Sequence, residues 1–196
     1  QRAGAHLRQR AVSSDELIEW LWPDLSVDSA RNSLWVAVSR LRRLLEPEAR
    51  GQGASTFILT DSPGYRFVPA GRCETDVEVF LDSLRQGQEH QGRGEWAAAL
   101  AAYGAAESLY RGDYLAEDPY EDWAIPTREQ LREAFLDLES GLATCNLALC
   151  RYSEALVHCH RVLALDACRE SVWRLAMECY YRARKRGQAL RAFEHC

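Results

Sequence analysis

Between Leu34 and Pro47 the chain carries Arg40, Arg42 and Arg43 within four residues. A guanidinium is a planar, permanently charged fork of donors that fits the O6/N7 edge of guanine or the oxygens of a phosphate. The chemistry these residues can perform is therefore recognition of a nucleic acid. Apolar Leu34, Val38, Leu41 and Leu45 recur at i, i+4, i+7 and i+11, which predicts a helix over 29–45 with those four side chains on its buried face. The same winding leaves Val36, Arg40 and Arg43 near the opposite face, with Ser39 and Arg42 on the flanks. A helix built this way can bury one side and offer guanidiniums and small residues to a major groove. The alternative for the arginines is a solvated surface in which cations compensate the negative end of the helix dipole. Trp35 is expected to pack in a core or an interface.

Two flanking segments must position such a helix. Ser13-Ser14-Asp15-Glu16 is a capping box, and Leu17, Ile18, Leu21 and Trp22 follow at helical spacing before Pro23 stops the run. Downstream, residues 50–55 form a Gly-rich loop. Phe57-Ile58-Leu59-Thr60 and Tyr65-Arg66-Phe67-Val68 then flank Asp61-Ser62-Pro63-Gly64, which predicts a β-hairpin. Helix, turn, second helix, hairpin is the order of a winged helix-turn-helix.

From Asp76 the pattern is helical throughout. All six prolines lie at or before Pro126, which suits stacked helices joined by short turns. Tyr152-Ser-Glu-Ala155-Leu156 and Arg186-Gly-Gln-Ala189-Leu190 match at a shift of 34 residues, the tetratricopeptide period. Gly94-Glu95-Trp96-Ala97-Ala98-Ala99-Leu100 is a less regular earlier copy. In each copy a small Ala is expected where another helix packs closely, and Trp96, Tyr103, Trp123, Trp173 and Tyr180 fall where repeat cores need large side chains. The fold class predicted is mostly α: a winged helix-turn-helix with a small β-hairpin wing over 1–72, then a tetratricopeptide-like helical repeat domain over 73–196.

Charge divides at the same place. Residues 1–72 hold 10 Arg against 8 acids, whereas 73–196 hold 14 basic and 21 acidic residues, within a net charge of −5. Such a chain is no general nucleic-acid coat, but a locally basic helix beside an acidic domain remains consistent with DNA binding. The seven cysteines contain no Cys-x-x-Cys pair and are expected to be reduced, mostly core-facing residues of a cytoplasmic protein. Adjacent residues on a helix point about 100° apart, so His158-Cys159-His160 cannot converge on one ion, and no metal or cofactor is expected. Gly51-Gln52-Gly53 follows a helix and precedes a strand, the wrong order for a dinucleotide site. No motif of hydrolases, metalloproteases or P-loop enzymes is present, no catalytic residue is assigned, and the protein is not expected to be an enzyme. The sequence contains neither a membrane span nor a signal peptide.

These segments carry a resemblance. ELIEWLWPD, SARNSLWVAVSRLRRLLEP and FILTDSPGYRFV resemble the winged helix of bacterial response-regulator effector domains, and more closely that of the Streptomyces antibiotic regulatory protein (SARP) class. Asp76 with Phe80, LYRGDYL (109–115), Trp123 with Arg128 and Leu131, DACRESVWRLAM (166–177) and Gly187-Gln188-Ala189-Leu190 resemble the bacterial transcriptional activation domain that follows it. The resemblance covers nearly the whole chain, from about Val12 onward. It implies double-stranded DNA as partner, with Val36, Arg40 and Arg42 at groove-contact positions and Arg66 of the wing on the backbone. It also implies binding as a dimer or as tandem copies, and recruitment of RNA polymerase or another protein domain through the helical repeats. These families begin with a small sheet and a complete first helix, whereas only residues 1–10, with Leu7 their one large apolar side chain, precede Ala11. The winged helix is thus expected to be partial. The competing expectation is a protein-interaction module in which the winged helix no longer binds DNA and packs against the repeats.

Overall fold

A computed structural model describes residues 11–47, 55–68 and 74–195. The Gly-rich loop at 50–54, Leu7, Cys73 and Cys196 lie outside these. The chain divides into two compact units, Gln1–Glu74 and Thr75–Cys196.

In the first unit a short strand β1 (Val12–Ser13) runs into helix α1 (Ser14–Leu21), followed by α2 (Val27–Leu45) and the strands β2 (Ile58–Asp61) and β3 (Gly64–Phe67). The capping box forms as expected. Ser13 Oγ accepts from the Glu16 N–H at 3.1 Å, and the Glu16 carboxylate accepts from the Ser13 N–H at 3.0 Å, satisfying two otherwise orphaned donors at the head of α1. The expected hairpin forms with Asp61 paired to Gly64, but it belongs to a three-stranded antiparallel sheet of order β1-β3-β2. Two residues of β1 are too few for alternation to reveal. Gly64 permits that strand, because a Cβ there would stand 1.8 Å from the Val12 carbonyl oxygen.

Leu34, Val38 and Ile58 are the buried centre of this unit, with Leu17, Ile18, Trp22, Phe57 and Tyr65 packed around them. Half of the predicted apolar face of α2 is thereby realised. Leu41 and Leu45 are 49% and 42% exposed, because four-residue strands and an eight-residue α1 cover only the middle of a nineteen-residue helix. Leu21, the last residue of α1, is likewise exposed, and Trp35 is no core residue at 65% exposure.

The second unit stacks three helical hairpins: α3 (Asp76–Gly92) with α4 (Trp96–Glu107), α5 (Ile125–Ala148) with α6 (Tyr152–Leu165), and α7 (Glu170–Arg182) with α8 (Arg186–His195). At 24 residues, α5 is long enough to wall two cores. One is built on Phe80, Tyr103 and Leu138, the other on Leu156, Val162 and Val172. Ala99 and Ala155, the small residues of the repeat motif, are fully buried. Ala189 is only half-buried and Leu190 is 65% exposed, since α8 packs chiefly on α7.

Tyr103 fills the first core through two glycines: a Cβ on Gly87 of α3 would meet its ring at 2.4 Å, and one on Gly141 of α5 at 2.6 Å. Its hydroxyl donates to Gln91 at 2.8 Å. Trp96, Trp173 and Tyr180 are half-buried, but Trp123 is 39% exposed and donates its indole N–H to Glu121. Of the described cysteines, Cys145, Cys159 and Cys179 are buried, and Cys150 and Cys168 are exposed. Burial pushes the Cys145 thiol up to about 11, which suits an inert apolar role.

Candidate nucleic-acid interface

The wing is tied to α2 by one side chain. Arg42 donates from Nε and Nη2 to the Ile58 carbonyl at 3.1 and 2.7 Å, and from Nη2 to Thr60 Oγ1 at 2.9 Å, with its guanidinium 5.9 Å from the centre of the Tyr65 ring. Ile58 is the first residue of β2, so this arginine fixes the hairpin against the last turns of the helix. At the end of α2, the Glu46 carboxylate accepts from the Thr56 N–H at 2.7 Å and from its hydroxyl. The hydroxyls of Ser55 and Thr56 hold Glu46 down at about 2.

The remaining predicted DNA-facing residues lie where helical winding puts them. Arg40 and Arg43 are exposed on the side away from Leu34, and Val36 between them is half-buried. Arg66, on β3, places Nη2 3.0 Å from Asp61 across the turn, and its Nε is buried with no hydrogen-bond partner among the described residues. Thus Arg40 and Arg43 present their guanidiniums to solvent, Arg42 is largely spent on the wing, and Arg66 is half-neutralised. Sequence reasoning missed the N-terminal continuation of the stripe. Counting back from Arg43 through Arg40 and Val36 at the same spacing reaches Asn32 and Ser29, both exposed, and that periodicity was available to find them.

In the second unit, ligand atoms of Glu107, Glu139 and His158 lie within 4.8 Å of one another. Arg161 already occupies the cation's place, donating to both Glu107 and Glu139, while His158 Nδ1 lies 2.8 Å from the fully buried Glu139 carboxylate. His160 meets the Tyr180 hydroxyl and Cys159 enters the core, so the three consecutive residues go to three different places. A cavity of about 560 Å³ lies between the start of α3 and residues 109–116, walled by Phe80, Leu109, Tyr110 and Tyr114.

Comparison with known proteins decides the family. Residues 75–196 match the model of the bacterial transcriptional activator domain (BTAD). The chain belongs to the BTAD family. Ahead of the BTAD, residues 5–67 match the model described as transcriptional regulatory protein, C terminal, and the two in this order make the chain a member of the SARP class. Among its relatives are the transcriptional regulatory proteins MoaR1 of Mycobacterium tuberculosis, 24% identical over 89% of this chain and 55% of that protein, and EmbR of the same organism, 26% identical over 95% of this chain and 47% of that protein. The solved structure of M. tuberculosis EmbR in complex with a low affinity phosphopeptide superposes with a TM-score of 0.80 at 25% identity, over 96% of this chain and 49% of that one. The SARP-class chain thus spans about half the length of the curated relatives it matches.

Two arginines of its BTAD motifs are structural clamps. Arg128 donates to the carbonyls of Tyr114, Leu115, Asp118 and Pro119, gathering the long connection before α5. Arg169, at the head of α7, reaches Glu133 and Asp137 of α5 and Asp166.

Proposed function

We propose that this SARP-class protein binds double-stranded DNA by laying α2 in the major groove, with Arg40 and Arg43 on the nucleic acid and Arg42 holding the wing beside it. The observation that carries this reading is the conjunction on one helix: two exposed guanidiniums opposite the buried face, and a hairpin clamped to that helix by a third. Val36 lies on the same face, and Arg66 keeps one edge of its guanidinium for a backbone phosphate. The helical unit supplies protein contacts, through the cavity beside Tyr110 and through the exposed Tyr181, Leu190 and Phe193. Transcription machinery such as RNA polymerase, or a second copy arranged in tandem on DNA, is the partner that the class suggests. No described helix is long and apolar enough to cross a membrane, and a cytoplasmic protein without enzymatic activity fits this role.

One observation favours a second reading, in which α2 is itself a protein-docking surface: Leu41, Leu44 and Leu45 are exposed beside the arginines. Titration of the chain onto random-sequence duplexes by fluorescence anisotropy separates the two. A DNA reader binds at low salt and releases as salt rises, because phosphate neutralisation releases counterions. A protein-docking module shows no binding at any salt.

A further inference from the structure

The outward stripe of α2 changes chemistry along its length. Relative to Leu34, the winding places Ser29, Asn32, Val36, Ser39 and Arg43 within about 40° of the opposite direction, with Trp35 and Arg40 on its two margins. Its first three turns carry hydroxyl, amide and apolar side chains and no cation. Arg31, the basic residue in that stretch, is turned toward α1, where its guanidinium lies 3.9 Å from Asp15. The outward cations begin at Arg40, about 14 Å beyond Arg31 along the axis.

Phosphates are held by cations, whereas base edges are read by forks of donors and acceptors and by apolar contact. Asn32 is exposed, and its amide makes no hydrogen bond to another described residue. An asparagine amide matches N6 and N7 of adenine, one donor and one acceptor each way, and an apolar side chain matches the C5 methyl of thymine. Trp35, one turn on, is 65% exposed, and Val36 adjoins it. In helix-turn-helix docking the N-terminal part of the second helix approaches the base edges. That is where this uncharged stretch lies, and the exposed guanidiniums of Arg40 and Arg43 supply the complementary charge beyond it.

Resting on the DNA-binding reading above, we infer that Asn32, Trp35 and Val36 are the specificity-determining residues of α2 and select an A·T-containing step. Asn32 takes the adenine edge and the two apolar side chains take thymine methyls, while Arg40 and Arg43 hold phosphates. The arginines thus set affinity and the uncharged stretch sets sequence.

The test is selection of bound duplexes from a random pool by the full chain, as wild type, Asn32→Ala, Trp35→Ala and Arg40→Ala/Arg43→Ala. The wild type is expected to enrich a motif with a required adenine. Asn32→Ala should lose the preference at that position and bind the selected duplex about 5- to 150-fold more weakly. The double arginine variant should bind all duplexes more weakly with the motif unchanged. Replacing thymine by deoxyuridine in the selected site removes the methyl alone. It should weaken wild-type binding several-fold and weaken Trp35→Ala by less, because only Val36 then still meets a methyl. These side chains are exposed, so thermal melting of each variant should match the wild type. Wild-type and Asn32→Ala motifs that coincide, or a site insensitive to the missing methyl, overturn this inference while leaving DNA binding in place. A wild type that enriches nothing overturns both.

Discussion

Tyr103 shows how one side chain can set the spacing of three helices. Its ring occupies the space that side chains on Gly87 and Gly141 would need, and burial pushes its phenol up to about 12, consistent with a neutral hydroxyl donating to Gln91. Gly87→Ala should lower stability by about 1–3 kcal/mol through overpacking, measured by urea unfolding. Tyr103→Leu introduced into that background should recover part of the loss, because the two sites share one space. Additive losses would show that the ring and the glycine are not in conflict. Tyr103 was legible from the sequence as a core aromatic, but its glycine cradle was not: Gly87 and Gly141 are 54 residues apart, and neither lies in a turn signal. The arginines of the BTAD motifs were legible only as types. That Arg128 would collect carbonyls and Arg169 would bridge to α5 depends on long-range packing that spacing does not encode.

At the scale of elements, the coupling of α2 to the wing is the feature on which the proposed recognition depends. Arg42→Ala removes both bonds to the Ile58 carbonyl and the bond to Thr60. It should weaken DNA binding by loosening the hairpin while leaving the slope of log affinity against log salt near its wild-type value. An arginine bound directly to a phosphate would instead lower that slope by about 1 when removed. A second tether titrates. The carboxyl of Glu46 is held at about 2 against an ordinary 4.5 by the Ser55 and Thr56 hydroxyls, so its contribution is complete above pH 4.5 and is lost as pH falls toward 2. The Thr56 amide resonance should follow that titration, with its midpoint near the lower value. A midpoint near 4.5 would show that the tether does not form. The capping box, α2 and the hairpin were readable because each is a local device with its own residue signature. Strand β1 was not, having two residues and depending on a close approach at Gly64. The exposure of Leu41 and Leu45 was equally hidden, because periodicity reports which face a residue occupies and not whether anything covers it.

For the molecule as a whole, the sequence's division of charge coincides with the division into an arginine-bearing winged-helix unit and an acidic helical-repeat unit. A change in composition, a switch from hairpin to helical pattern and a 34-residue repeat all pointed to two units, and this consistency across levels made the architecture readable. The proposed recognition of DNA rests on one exposed face of α2, with Arg40 and Arg43 neutralising phosphates. The decisive experiment is the slope of log affinity against log salt for wild type and Arg40→Ala/Arg43→Ala on the same duplex. The double variant is expected to bind more weakly at every salt concentration, with a slope shallower by about 2, one for each phosphate left unneutralised. Equal slopes and equal affinities would contradict this and move the function of the face from DNA to a protein partner.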